Sequence, residues 1–333
     1  MKKCLLFLIV IFFYLLCFSC KKDQEKNRKN VINLKLAHVL PKDHPVNIAL
    51  EMAARMLEEK SNGRIKLKII HSGRFGSERQ CLEKLKIGSL DLTKVSMAAL
   101  EQFVKEAGIF NSPYLFRDEE HKWKVLDGKI GKELLDCALS EGFKGLCYMD
   151  AGWRSFYTRE GHPIRKVEDL NGLKIRVINA PTMIKAIKCL GANAVNIEWE
   201  ELYSALQQGS VDGAENNIPS LYTSSQYEVV KYYTLDRHIA VPDVVIISKR
   251  VWDSFDKKTK SLFEECFRVA SLEQRKLWKK RCKEDLKKMM DKGLEVIELS
   301  KEALEGFKKK AESFYNDLDP EMKNLANRIR AIK

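Results

Sequence analysis

The 333-residue sequence lacks the short signatures by which most catalysts are recognised. It contains no GxSxG elbow, no HExxH helix and no phosphate-binding P-loop, so no enzyme is expected. The six histidines, at 38, 44, 71, 121, 162 and 238, are scattered, and none forms a ligand-spaced pair. His38 and His44 only flank Pro41 in a loop. Six of the nine cysteines lie beyond residue 20 (81, 137, 147, 189, 266 and 282), and these show no CxxC spacing. Neither a zinc site nor a redox pair is indicated, and no cofactor or metal is expected. Cys189, Cys266 and Cys282 fall on apolar faces of predicted helices, as buried thiols do. Runs mixing arginine with aromatics are also missing. The net charge is +13, or 13 − 2 = +11 without Lys2 and Lys3, but lysines alternate with glutamates, as in KKTKSLFEECF. That pattern is a solvated surface and not a nucleic-acid groove.

What is present begins with MKKCLLFLIVIFFYLLCFSC. Two lysines precede an apolar run from Cys4 to Phe18, too short for a membrane span of about 20 residues. The pattern is an export signal. Ser19-Cys20 followed by KKDQEKNRKN resembles a bacterial lipoprotein cleavage site, with Cys20 lipidated and residues 21–31 as tether. An ordinary signal peptide or a retained anchor is the alternative. About 300 residues then remain, enough for two lobes.

VINLKLAHV reads as a strand, HPVNIALEMAARMLEEKSNG as a helix with Ile48, Met52, Ala53, Met56 and Leu57 on its inner face, and RIKLKII as a second strand. This β-α-β order predicts an α/β fold with parallel strands. LEKLKIGSLDLTKVS (82–96) aligns without gaps on YSALQQGSVDGAENN (203–217), pairing Gly88 with Gly209 and Asp91 with Asp212. Each copy ends a helix at a glycine suited to a left-handed cap and then starts a strand. SNGRIKLKI and LNGLKIRVI form a weaker echo, so two similar lobes are expected. Glu215 to Asn217 would lie at a strand's carboxyl end, where α/β sheets bind ligands. Asp212 and Asp91 fit turn-fixing roles; the Gly213 spacing fails the EF-hand pattern, and no third partner supports a catalytic pair with Glu215. From about Asp256 to Lys292 a single helix is predicted, more than roughly 50 Å long.

Two arginines stand in unexpected places. Arg154 lies in AGWRSFYT and Arg176 inside the apolar strand LKIRVI. A charge within a strand must be solvated, paired or awaiting a ligand. For Arg176 an internal acid such as Glu201 and an incoming carboxylate both remain open. Guanidinium matches a carboxylate with two parallel hydrogen bonds.

Taken together, LGANAVNIEWEELYSALQQGSVDGAENN, LKLAHVLPKDHP, IGSLDLT, SPYLF, NGLKIRV and YEVVKYYTLDRH resemble, in order, the solute-binding proteins of tripartite ATP-independent periplasmic (TRAP) transporters of the DctP type. The resemblance covers roughly residues 32–315. It implies a two-lobed periplasmic-binding-protein fold with a central ligand cleft, strand exchange and a long helix spanning both lobes. Domain I would comprise 32–151 plus 242–281, and domain II 152–241 plus 282–333, closing on hinges near 151 and 242. It implies that Arg176 grips a ligand carboxylate, that Arg154 assists, that Asn216 hydrogen-bonds the ligand and that Trp199 lines the pocket. Trp153 and Trp199 would favour an apolar or aromatic tail, and His38 would sit at the rim. Ser77 and Ser96 stand where sialic-acid binders of the family carry acids, which argues against that ligand. The implied partners are a small carboxylate, the TRAP permease, the membrane through the lipid anchor, and a tetratricopeptide-repeat lipoprotein; nucleic acid is not among them. An exported lipoprotein sensor, or a carrier of an apolar ligand with Arg176 paired internally, is the competing expectation.

Overall fold

Alternating burial along Ile32–Ala37 makes it the first strand (β1) of the computed structural model, which describes residues 31–333. The signal, Cys20 and residues 21–30 of the tether lie outside the described residues. β1 pairs in parallel with β2 (Ile65–Ile70) and β3 (Leu92–Ser96). The remaining strands are β4 (Phe143–Met149), β5 (Ser155–Thr158), β6 (Lys174–Val177), β7 (Asn193–Asn196), β8 (Gly213–Asn216), β9 (Tyr232–Thr234), β10 (Asp243–Ser248) and β11 (Glu295–Ile297). They form two sheets, ordered β2-β1-β3-β10-β4 and β11-β9-β5-β8-β6-β7. β10 follows the second sheet's strands in sequence yet runs antiparallel between β3 and β4 of the first. The chain therefore crosses between sheets after β4, again before β10, and a third time through a helix that ends before β11.

The helix between β1 and β2 (α1, Pro45–Lys60) begins at His44, whose Nδ1 accepts from Val46 N, with proline in its first turn. Its inner face is Val46, Ala49, Leu50, Ala53 and Leu57; Ile48 is 39% exposed, and Met52 and Met56 are half-buried. The face expected from the apolar residues is thus turned toward Val46, Ala49 and Leu50, away from Ile48.

The internal echo is structural. One copy is α2 (Glu78–Lys86) followed by β3, the other α3 (Leu202–Gln208) followed by β8. Gly88 and Gly209 cap the two helices at φ of 79° and 75°. Asp91 Oδ2 accepts from Lys35 N at 2.9 Å, and Asp212 Oδ2 accepts from Lys174 N at 2.8 Å. Each aspartate ties its turn to the neighbouring parallel strand, β1 in one lobe and β6 in the other.

The long helix (α4, Lys257–Asp291) starts at Asp256, whose carboxylate accepts from Thr259 N. Phe263, Phe267, Ala270 and Trp278 join the first lobe's core with Leu50 and Leu57 of α1. Met289, near its far end, packs with Tyr157 and Tyr233 in the second. One helix therefore contributes to both cores. Among the described residues no helix is long and apolar enough to cross a membrane. The six cysteines there are free thiols, Cys266 buried but Cys189 and Cys282 only partly so. Burial pushes the Cys147 and Cys282 thiols up to about 12.

Candidate functional site

Between the sheets lies a cavity of about 70 Å³. Its lobe II wall carries Arg154, Arg176, Trp199 and Asn216, and its lobe I wall Glu78, Lys94, Ser96 and Asp243. The lobes meet around it. Gln102 Nε2 donates to Asn179 O at 2.8 Å, and Thr182 N donates to Glu101 Oε1 at 2.9 Å. The helix Pro181–Leu190, whose own N-cap Ala180 offers no side-chain acceptor, is thereby capped from the other lobe.

Arg176 is placed by β6, whose apolar neighbours Ile175 and Val177 hold it in the sheet. It is 3% exposed. Its Nε donates to Ile197 O at 2.8 Å, but the buried Nη1 has no partner, and among the described residues no carboxylate forms an ion pair with it. Burial pulls its pKa below the ordinary guanidinium value. Glu201, the acid considered from sequence, is exposed at the end of the 3-10 turn Trp199–Glu201.

Arg154 is different. Its Nε donates to Glu215 Oε2, its Nη2 to Glu215 Oε1 at 2.8 Å and to Glu215 O at 2.7 Å, and its Nη1 to Asn216 Oδ1 at 3.0 Å. Burial would raise Glu215, but Arg154 and His238 outweigh it and hold the carboxylate below its usual range. Asn216 Oδ1 also accepts from Asn217 N at 2.9 Å. With its oxygen committed twice, the amide leaves Nδ2 as the donor open to the cavity.

On the opposite wall Lys94, 2% exposed in β3, donates to Asp243 at 2.9 Å and to Glu78 at 3.3 Å. Burial opposes its charge, yet the two acids raise its pKa. Two carboxylates share one ammonium there. Burial, with Lys94 pulling the other way, leaves Asp243 raised to about 6. Ser77 and Ser96 cap the helices that begin at Glu78 and Met97.

Four of the expected site residues, Arg176, Arg154, Asn216 and Trp199, come together here. Two do not. His38, immediately after β1, is 1% exposed, with Nε2 at 3.0 Å from Asn47 Oδ1 and Nδ1 accepting from Leu40 N, so both nitrogens are used internally. Burial lowers it to about 3 and keeps it neutral. Trp153 lines a separate cavity, because Gly152 at φ 62° turns the chain just before it. The apolar tail expected from the two tryptophans thus loses one of its walls. Lys94 and its acids were not read from the sequence. The signal was available, since Lys94 in LTKVS is a charge within an apolar strand like Arg176 in LKIRVI.

Comparison with known proteins places this geometry. The family model described as bacterial extracellular solute-binding protein, family 7 (DctP), matches residues 36–320. The 2,3-diketo-L-gulonate-binding periplasmic protein of Escherichia coli K12 is 30% identical over 75% of this chain and 76% of its own length. A TRAP periplasmic solute-binding protein from Xanthobacter autotrophicus, solved with bound β-D-galacturonate, superposes with a TM-score of 0.85 at 35% identity, covering 90% of this chain and 100% of that one. Another, from Sulfurospirillum deleyianum with bound succinate, gives 0.86 at 28% identity over 92% and 100%.

Proposed function

The chain belongs to the DctP family of bacterial extracellular solute-binding proteins, and on that premise we propose that it captures a hydroxylated monocarboxylate of the sugar-acid class between its lobes for delivery to a TRAP permease. The observation that carries this reading is the buried, uncompensated Arg176 at the cavity. An isolated buried charge costs several kcal/mol, which an incoming carboxylate offsets. Asn216 Nδ2 adds a donor beside that carboxylate, and Trp199 supplies an apolar wall. Across the cavity, Glu78 and Asp243 offer acceptors for ligand hydroxyls. A second ligand carboxylate at that end would meet two acids whose single ammonium is already shared.

On this reading the solute is bound and released unchanged outside the cytoplasmic membrane. The lobes close on the crossings near 151 and 242, excluding water and strengthening the charge pair. Ser19-Cys20 and the basic tether support lipidation at Cys20, which would hold the receptor beside its permease and, where one is made, a tetratricopeptide-repeat lipoprotein. Loss of labelled palmitate incorporation in Cys20→Ser tests the anchor.

Calorimetric titration of D-galacturonate, D-glucuronate, D-erythronate and succinate tests the site. At least one hydroxylated monocarboxylate should bind about tenfold or more tighter than succinate. Arg176→Ala should weaken it about a hundredfold, since a buried charged pair is lost. Tight succinate binding, or an affinity untouched by Arg176→Ala, would overturn the assignment.

A further inference from the structure

A second cavity, of about 1090 Å³, shares only Asn217 with the cleft. It is slightly larger than the ~300–1,000 Å³ range of small-molecule sites. Both sheet crossings wall it: Gly152 and Trp153 from the first, Leu235 to Arg237 from the second, with Trp278 and Cys282 of α4 between them. Its apolar lining is only partly packed against the two lobes' cores. Tyr114, Trp153, Ile218, Leu235, Leu299 and Leu304 all face it half-buried. Half-buried apolar side chains converging on one hollow leave surface that an apolar body would cover.

The charges around it are unequal in their commitments. Asp118 accepts from His121 N, Glu119 from Trp123 Nε1, and Asp236 from Phe156 N and His238 Nδ1. Glu119 is also paired with Lys122 and Asp236 with His238, while Asp118 keeps its charge without an ion-pair partner among the described residues. Arg237, Lys279 and Lys283 also line the cavity, and among the described residues none of their charged ends has a hydrogen-bond or ion-pair partner. Glu298, exposed at the edge, and Asp118 are the two acids of the lining without an ion-pair partner among the described residues. Arg117, whose guanidinium meets only backbone carbonyls, joins Arg237, Lys279 and Lys283, so four cations without an ion-pair partner face two such acids and leave a cationic rim over an apolar floor.

We propose that this cavity is a second binding site, for a single-chain amphipathic carboxylate whose alkyl body packs against Trp153, Leu235 and Leu299 and whose head is held by Arg237, Lys279 and Lys283. A neutral chain of the same length would use the floor alone. A small hydrophilic acid would use only the rim, where exposed charges contribute little. The combination selects the amphiphile. The site is independent of Arg176.

The probe is dodecanoate, titrated calorimetrically into the mature chain at concentrations where it is monomeric, with 1-dodecanol as the neutral control. One dodecanoate per chain is expected, with 1-dodecanol about tenfold or more weaker. Lys279→Glu/Lys283→Glu changes two exposed side chains without disturbing the core, and it should weaken dodecanoate about tenfold or more. Trp153→Ala should weaken both probes, and Arg176→Ala neither. The proposal falls if wild type shows no saturable binding, if the double reversal binds as tightly as wild type, or if Arg176→Ala abolishes binding and so places the probe in the cleft.

Discussion

Arg154 and Arg176 are alike in type, burial and cavity, yet their partners give them opposite energetic roles. Arg154 neutralises Glu215, which is wholly buried. Removing one member of a buried pair leaves an uncompensated charge and costs about 3–5 kcal/mol. Arg154→Ala should therefore lower unfolding free energy by about that amount in urea melts, and adding Glu215→Gln should recover much of it. Arg176 has no carboxylate partner, so Arg176→Ala removes a desolvation cost and should leave stability unchanged or higher while binding is lost. A large stability loss in Arg176→Ala, or none in Arg154→Ala, would reverse the two assignments. Sequence alone left Arg176 between ligand and internal acid, because its partner, or lack of one, is decided by residues such as Ile197 that are distant in the chain.

At the level of elements, the twin helix–turn–strand units make a matched test. Gly88 and Gly209 both have positive φ, and an added Cβ would meet only the side-chain ends of Arg250 and Arg159. Those ends can move aside, so backbone strain sets the cost. Gly88→Ala and Gly209→Ala should each destabilise by about 1–2 kcal/mol in urea melts. Markedly unequal losses would mean that the copies do not share one capping geometry. This echo was legible because capping and turn chemistry are written within a few residues, as was α4, whose apolar spacing persists over 35 residues. The rotation of α1 that exposes Ile48 was not legible, since its methionines and alanines score alike by periodicity. Nor was the insertion of β10 between β3 and β4, which depends on pairings across more than 90 residues. Lys94 is intermediate: its oddity is local, but Asp243 and Glu78 reach it only through the fold.

At the scale of the whole molecule, the crossing before β10 carries a charge balance that should shape the response to pH. His238, fully buried and stacked on Phe156 at 4.2 Å, lies between Asp236 at 2.6 Å and Glu215 at 3.8 Å. With Arg154 these make two cations and two anions, neutral only while His238 is protonated. Burial lowers its pKa, but the two carboxylates outweigh burial and raise it to about 9 from 6.5. A group raised on folding contributes fully below its unfolded pKa and loses that contribution as pH rises through the folded one. Stability should therefore fall between pH 6.5 and about 9, by at most about 1.4 kcal/mol per pH unit and by about 3 kcal/mol in all. His38 and His44 are shifted the other way and change stability below pH 6.5. The buried thiols, raised to about 11 at Cys81 and about 12 at Cys147, add their own loss only above about 9. The intermediate window thus belongs to His238. Urea unfolding at intervals from pH 6.5 to 9 should show the slope in wild type and a nearly flat line in His238→Gln. A slope that survives the substitution would mean that the charge network joining Arg154 and Glu215 to the crossing before β10 does not depend on a protonated imidazole.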